Sequence, residues 1–325
     1  MPGNALWEAL PPVKISLLPT PYSLFPSPLS MFPTFLPATT EQLTESASIA
    51  LAQQIQLSQI ITPLSNQPIS TAYVQQGSGR TPILLIHGFD SSVLEFRRII
   101  PLLATENESW TVDLLGFGFT SRLAGIKFSP TAIKTHLYHF WKTLINKPVI
   151  LVGASMGGAA AIDFTLTYPE AVEKLVLIDS AGLVSSSPLV KFMFPPLDSF
   201  AAEFLRSPKI RQSISRAAYK NKELASIDAA VCAALHLEMP NWTTALIAFT
   251  KSGGYKAFGF EQLAQIQKET LILWGDSDKI LGIKDAQRFK IGIPNSKLVW
   301  IPDSGHVPHL EQPQMVAKHI LEFCN

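Results

Sequence analysis

The stretch PVILVGASMGGAAAIDF, Pro148 to Phe164, decides how the rest of the chain is read. An unbroken apolar run, Val149 to Val152, meets the string Gly153-Ala-Ser-Met-Gly-Gly158 and passes into alanines. A short apolar run bounded by glycine reads as a strand buried on both faces, and the small residues after it open a helix that lies close by. Gly153, Gly157 and Gly158 leave room for a tight turn at Ser155. The Gly-x-Ser-x-Gly spacing then has two readings: a serine projected from a strand-turn-helix corner, or close packing with no chemistry. The neighbouring sequence has to choose between them.

The same unit recurs on both sides. TPILLIHG, WTVDLLG, KLVLIDS, ETLILWGDSD and SKLVWIPDSG are further apolar strands. They alternate with the helix-like SVLEFRRIIPLLA and TAIKTHLYHFWKTLI, and the last is followed by a helix running through Leu321. Apolar strands separated by helices predict an α/β fold, a mostly parallel central sheet flanked by helices. Ahead of it, Thr39 and Gln42 suggest a capping box for one helix over 41–60, and SQIITPL and ISTAYVQQG read as two short strands around a Ser65-Asn-Gln-Pro68 turn. The alternation breaks over 183–260, which holds helix formers, Lys191, Arg206, Arg211, Arg216 and Lys220, and the aromatics Phe192, Phe200, Phe204, Trp242 and Phe249. This predicts a helical cap inserted into an α/β core of 39–182 and 261–325, with 1–38 as a proline-rich apolar arm.

With 325 residues, a net charge of +1, 16% charged and 47% hydrophobic residues, the chain is long enough for a large core and reads against both disorder and a nucleic-acid partner. Cys232 and Cys324 are too few and too far apart for a disulfide framework or a zinc site, and no metal or cofactor signature is found. No apolar run is long enough to span a membrane, no signal peptide opens the chain, and the first arginine is Arg80, which argues against a transit peptide. The expected location is cytoplasmic or peripheral to a membrane. The arm, with Trp7, Phe25, Phe32 and Phe35 among its prolines, reads either as a cover on the main domain or as a contact with lipid or protein; its scarce charge, Glu8 and Lys14, speaks against attraction to anionic lipid.

A serine hydroxyl becomes a nucleophile only when a histidine takes its proton, and that histidine needs an acceptor on its other nitrogen. In a parallel sheet the three meet at the carboxyl ends of the strands. Ser155 sits at such an end. His306, in PDSGHVPHLEQP, follows the last strand beside Gly305, and His309 reads as a support or surface group. Two aspartates, Asp276 and Asp278, follow WG; Asp278, farther into the loop, is the better placed to lean toward His306, and Asp276 reads as bonding loop amides. Asp179 would serve if the earlier strand supplied the acid, whereas Asp303 is too near His306 along a short loop. Acyl transfer also needs two N–H groups aimed at the oxyanion, for which Met156 and Phe89 are positioned. His87 reads as a structural donor. Asp90 either caps the next helix or touches the substrate.

HGFDSS, VDLLGFGFT, GASMGG, WGDSDKIL and DSGHVPHLEQP occur in this order, and from Thr71 to the C-terminus the chain resembles the α/β-hydrolase superfamily. The resemblance implies a catalytic triad of Ser155, Asp278 and His306, an oxyanion hole at Phe89 and Met156, a lid over 183–260, and no cofactor. One departure is Leu281-Gly282, where many members continue the acid loop into proline. IHGFDSSVLEFRRIIPLL, HFWKTLINKPVILVGASMGGAAAIDF and FTKSGGY are further similar to plant and cyanobacterial members that include chlorophyll dephytylases. That implies an apolar ester as substrate, the phytyl ester of chlorophyll or pheophytin, met at the thylakoid side by the arm and lid. A general carboxylesterase or lipase, a carbon–carbon bond hydrolase, a haloperoxidase-like enzyme, an acyltransferase and a non-catalytic binding protein share the same frame. Serine rather than aspartate at 155 argues against dehalogenase and epoxide-hydrolase chemistry.

Overall fold

A computed structural model describes residues 31–184 and 197–325. Eight strands form one sheet: β1 (Gln56–Ile60), β2 (Ile69–Gln76), β3 (Arg80–Ile86), β4 (Asn107–Val112), β5 (Val149–Ala154), β6 (Val172–Ile178), β7 (Thr270–Gly275) and β8 (Ser296–Ile301). Their order is β1-β2-β4-β3-β5-β6-β7-β8. β1 and β2 pair antiparallel, as do β2 and β4, and every later pairing is parallel. Connections between parallel strands must cross over the sheet, and the helices that make them bury its two faces.

The helices in chain order are α1 (Ser46–Ala52), α2 (Ile100–Leu103), α3 (Pro130–Leu144), α4 (Met156–Thr167), α5 (Leu197–Arg206), α6 (Pro208–Ala218), α7 (Ile227–Ala234), α8 (Trp242–Lys251), α9 (Phe260–Leu263), α10 (Lys284–Gly292), α11 (Pro308–Glu311) and α12 (Pro313–Cys324). Alternation along β3 shows how the faces are used. Leu84 and Ile86 join an apolar cluster with Leu137 and Phe140 of α3 and Ile162 and Phe164 of α4. Ile83 and Leu85 join a second with Leu51 of α1, Leu103 of α2 and Ile320 of α12. Among the described residues no helix is long and apolar enough to cross a membrane.

Two expected helices come out differently. The helix over 41–60 is only α1, because Gln56–Ile60 pair instead with β2, and Thr39 and Gln42 lie at a 3-10 turn with no side-chain cap. The helix over 92–104 splits into a 3-10 turn, Val93–Phe96, and α2, whose first turn carries Pro101. Proline has no N–H to give the preceding turn, so it starts a helix more readily than it continues one. Most of the expected arm, residues 1–30, lies outside the described residues, as do 185–196 of the expected cap. Phe32 and Leu36 at the arm's end are buried in the cluster that holds α1, and α5 to α8 stand between β6 and β7.

The sequence GASMGG sets how near α4 lies to the sheet. A Cβ on Gly157 would stand 2.2 Å from the Ile86 carbonyl oxygen, one on Gly153 would stand 2.3 Å from that of Gly157, and one on Gly158 would stand 2.1 Å from Ser180 Oγ. Two of these contacts are with backbone, which cannot swing aside. Gly157→Ala is therefore expected to destabilise the protein by about 1–3 kcal/mol, the usual cost of overpacking a filled core, read as a lower urea midpoint. An unchanged midpoint would show that α4 is not seated this closely.

Candidate active site

Ser155 is the corner between β5 and α4. Its φ of 51° is a value that residues with a side chain rarely adopt. The corner is held by its neighbour strand: Ser155 N–H donates to Ile178 O at 3.0 Å, and Ser155 O accepts from Gly158 and Ala181, each at 2.9 Å. The side chain is thereby turned toward the loop after β8. His306 Nε2 stands 2.9 Å from Ser155 Oγ, and its Nδ1 stands 3.0 Å from Asp278 Oδ2. With Nδ1–H donated to the carboxylate, Nε2 is left to accept the serine proton. The His306 backbone N–H donates to Ala218 O at 2.7 Å, so the loop is fixed against the end of α6.

The four aspartates near this centre separate by surroundings. Asp278 is buried, and its Oδ1 accepts from the N–H groups of Ile280 and Leu281 at 2.7 and 3.2 Å. Burial opposes its ionisation, but the hydrogen bond and charge of His306 outweigh it and hold the carboxyl below the usual range. Asp276 points the other way, accepting from the Asp303 and Ser304 amides at 3.2 and 3.4 Å. Asp303 pairs with Lys220 at 2.8 Å. Asp179 ends β6 with φ of 38° and accepts from the Gly275 N–H at 3.1 Å. Complete burial, and then the adjacent Asp278, push its carboxyl well above the ordinary value, which favours the protonated form. Gly282 has a φ of 76°, which proline cannot take, so the departure at Leu281-Gly282 belongs to a different bend of the acid loop.

Across from the serine runs the loop after β3. A Cβ on Gly88 would lie 3.3 Å from Ser155 Cβ, which places the Phe89 backbone beside the serine, while Met156 is the first residue of α4. His87 accepts the Leu114 N–H on Nε2 at 3.1 Å and bonds Gly88 O through Nδ1 at 2.8 Å. Burial lowers its pKa to about 4, so it stays a neutral brace. Glu95, unnoticed in the sequence, accepts the Gly88 N–H at 3.0 Å and faces His309 at 3.4 Å. Burial opposes its charge, but His309 lowers its pKa to about 2. His309 is buried against Phe96, a support and not a surface group.

Asp90 does not cap the turn that follows, and it stands in the wall of the cavity that holds Ser155. Ser92 caps the following turn, donated to by the Leu94 N–H, and the buried Asp90 carboxylate instead accepts from Trp242 Nε1 at 2.8 Å, from His236 Nε2 at 3.0 Å and from Arg211. Burial raises its pKa, but His236 and Arg211 more than reverse this and hold it far below the ordinary carboxylate. All three donors lie between β6 and β7. Glu311 makes a second tie, accepting the N–H groups of Gly305, Lys220 and Asn221 at 2.6, 3.2 and 2.9 Å. Neither tie was visible in sequence, since every partner but Gly305 lies 90 to 152 positions away and leaves no local pattern.

A cavity of about 290 Å³ opens on this centre, with Ser155, His306, Phe89 and Asp90 in its wall and Ile214 and Ala218 of α6 facing them. Asp179, Asp278 and His306 bring one ligand atom each within 4.8 Å of one another, a spacing that suits a cation. The direct bond of Asp278 to His306 and that of Asp179 to Gly275 already use those atoms.

A family described as the alpha/beta hydrolase fold matches residues 81–313. The alpha/beta hydrolase domain-containing protein VTE7 of Arabidopsis thaliana is 33% identical over 299 residues, covering 90% of each chain. A 2-hydroxy-6-oxo-6-(2'-aminophenyl)hexa-2,4-dienoic acid hydrolase of Metapseudomonas resinovorans is 28% identical over 79% of this chain and 88% of its own. Among solved structures, a thermophilic esterase from Thermogutta terrifontis superposes with a TM-score of 0.70 at 26% identity, covering 82% of this chain and 97% of the esterase.

Two outcomes are expected. Asp90→Ala leaves Arg211, His236 and Trp242 without their acceptor and lowers stability by about 3–5 kcal/mol, the range for opening a buried ion pair; a melting temperature equal to wild type would deny the tie. His87 is neutral when folded down to a pH of about 4 but titrates near 6.5 when unfolded. Its lowered folded pKa contributes stability that is complete above 6.5 and lost as pH falls toward 4, at most about 3 kcal/mol. The stability gap between wild type and His87→Asn should therefore narrow between pH 7 and pH 5 in urea titrations, and a constant gap would contradict the assignment.

Proposed function

The chain belongs to the α/β-hydrolase family, and on that premise we propose that it is a serine ester hydrolase working through Ser155, His306 and Asp278. The observation that carries the reading is the unbroken relay of hydrogen bonds, 2.9 Å from serine to histidine and 3.0 Å from histidine to aspartate, on one wall of the cavity. Ser155 Oγ attacks the ester carbonyl as His306 Nε2 takes its proton. Asp278 holds the imidazolium that forms. The Phe89 and Met156 N–H groups receive the oxyanion, and its collapse returns the proton from His306 to the leaving alcohol. Water repeats the sequence on the acyl-enzyme and frees the acid. No step calls for a cofactor.

An apolar ester suits the walls. Phe89, Ile214 and Ile280 line the cavity and are each 45–48% exposed, and Phe200 and Phe204 of α5 are exposed at 68% and 62%. We take the helices between β6 and β7 as a lid and their bare apolar side chains as the face that meets a lipid surface. The phytyl ester of a chlorophyll-type pigment is the specific substrate we propose, on the resemblance of the segments around His87, Ser155 and Tyr255. A cavity of about 290 Å³ takes the ester and part of one chain, so the remainder of such a substrate lies outside it or requires the lid to move. The same volume favours the second reading, a carboxylesterase for small esters.

Ser155→Ala is expected to abolish hydrolysis of p-nitrophenyl esters and labelling by a fluorophosphonate while circular dichroism is retained; full activity in the variant would end the proposal. Asp278→Asn should lower kcat by about 10⁴, as loss of the orienting acid does in other triads. Phytol released from pheophytin or chlorophyll, against turnover of p-nitrophenyl butyrate, separates the two substrates: short-ester turnover without phytol supports the carboxylesterase.

A further inference from the structure

The cavity wall holds one buried cation that ester hydrolysis does not use. Arg97 lines the cavity with Tyr219 and Cys232, and only 3% of it is exposed. Its Nη1 donates to Leu94 O at 3.2 Å, whereas Nε and Nη2 have no hydrogen-bond partner among the described residues. Its ion-pair partner Glu45 stands 3.8 Å from Nε, beyond hydrogen-bond reach. That carboxylate is already taken by Arg98, whose Nε and Nη2 donate to it at 2.6 and 2.9 Å. The Tyr219 hydroxyl interacts with the guanidinium, by charge and by hydrogen bonding, yet neither Nε nor Nη2 has an acceptor in hydrogen-bond geometry. Arg98 and Arg97 are neighbours in sequence, yet one is fully used and the other is not.

Buried charged donors left unpaired are costly, and arginine is charged at any working pH. A guanidinium presents its N–H groups as a planar fork, which fits an oxygen acceptor with in-plane lone pairs. We propose that Arg97 is a specificity subsite for a second oxygen function of the substrate, a carboxylate or ketone carbonyl separate from the reacting ester. The assignment rests on the ester-hydrolase reading and narrows its substrate class: the ester carries an acceptor elsewhere on its skeleton and is not a plain alkyl ester. Ser155 and Arg97 line the same cavity, and on this proposal one ligand spans the two.

The test compares kcat/KM for three p-nitrophenyl esters of matched length: the adipate hemiester, a 5-oxohexanoate and the hexanoate. Wild type is expected to favour an oxygen-bearing ester over hexanoate by about tenfold or more, and the better of the two names the acceptor. Arg97→Met should reduce that ratio by about ten- to a hundredfold, the worth of a hydrogen bond to a charged group, and Arg97→Lys, which keeps the charge but not the fork, should fall between. A wild-type ratio near one, or a ratio unaltered in Arg97→Met, overturns the subsite. Should Arg97→Met fail to fold, the wild-type ratio and Arg97→Lys still decide. A wild-type protein that turns over none of the three fails the hydrolase reading instead, and calorimetric binding of adipate against hexanol then decides the subsite: adipate binding retains it, and equal or absent binding removes it.

Discussion

Gly157 has no room for a side chain, and much of the molecule follows from that. The carbonyl of Ile86 lies where its Cβ would be, so the first turn of α4 is pressed onto the end of β3. This approach brings the Ser155 corner against the loop that begins at His87. A longer gap would separate the serine from the Phe89 N–H, and no placement of His306 would restore the pair. Close packing and a strained serine corner are therefore one arrangement, since the glycines that admit the helix also leave room for the positive φ of the serine.

A corner so strained needs support on both sides, and the buried polar groups supply it. Behind the loop after β3, His87 and Glu95 bind the backbone of Gly88 and Leu114. Asp113 braces the loop after β4, accepting the Val93 and Phe119 N–H groups at 2.6 and 2.5 Å, with Gly118 left bare against its carboxyl. Ahead of the loop, Asp90 gathers Arg211, His236 and Trp242. The residue next to the proposed oxyanion donor is thus the anchor of the helices that roof the cavity. One side chain therefore ties those helices to the loop that carries Phe89.

What could be read from the sequence was what local pattern encodes. Strands buried on both faces, the glycine corner and the order of the loops that follow are properties of short segments, and they led to the α/β fold now seen. The helix over 41–60 failed because its apolar spacing runs past α1 at both ends: Leu43 and Ile55 lie outside the helix, and Ile60 belongs to β1, whose pairing with β2 is settled only in three dimensions. Asp90, Glu95 and Glu311 were beyond reach for the same reason: each earns its place by partners far along the chain. Arg97 is the reverse case. Its neighbour Arg98 has the same side chain and a full set of acceptors, so residue type carried no sign of the difference.

The two acids beside His306 show how the fold sets charge as well as position. Asp179 and Asp278 end adjacent strands and lie close enough to oppose each other's ionisation. Two carboxylates in one dry site cannot both be charged, and surroundings push their pKa values apart. Asp278 has the imidazole and two loop amides to favour its anion; Asp179 has one amide and no exposure. The surroundings therefore favour the charge on Asp278 and the neutral form of Asp179. On the proposed mechanism His306 then faces one favoured anion, which suits a base that accepts a proton from Ser155 and surrenders it to the leaving alcohol.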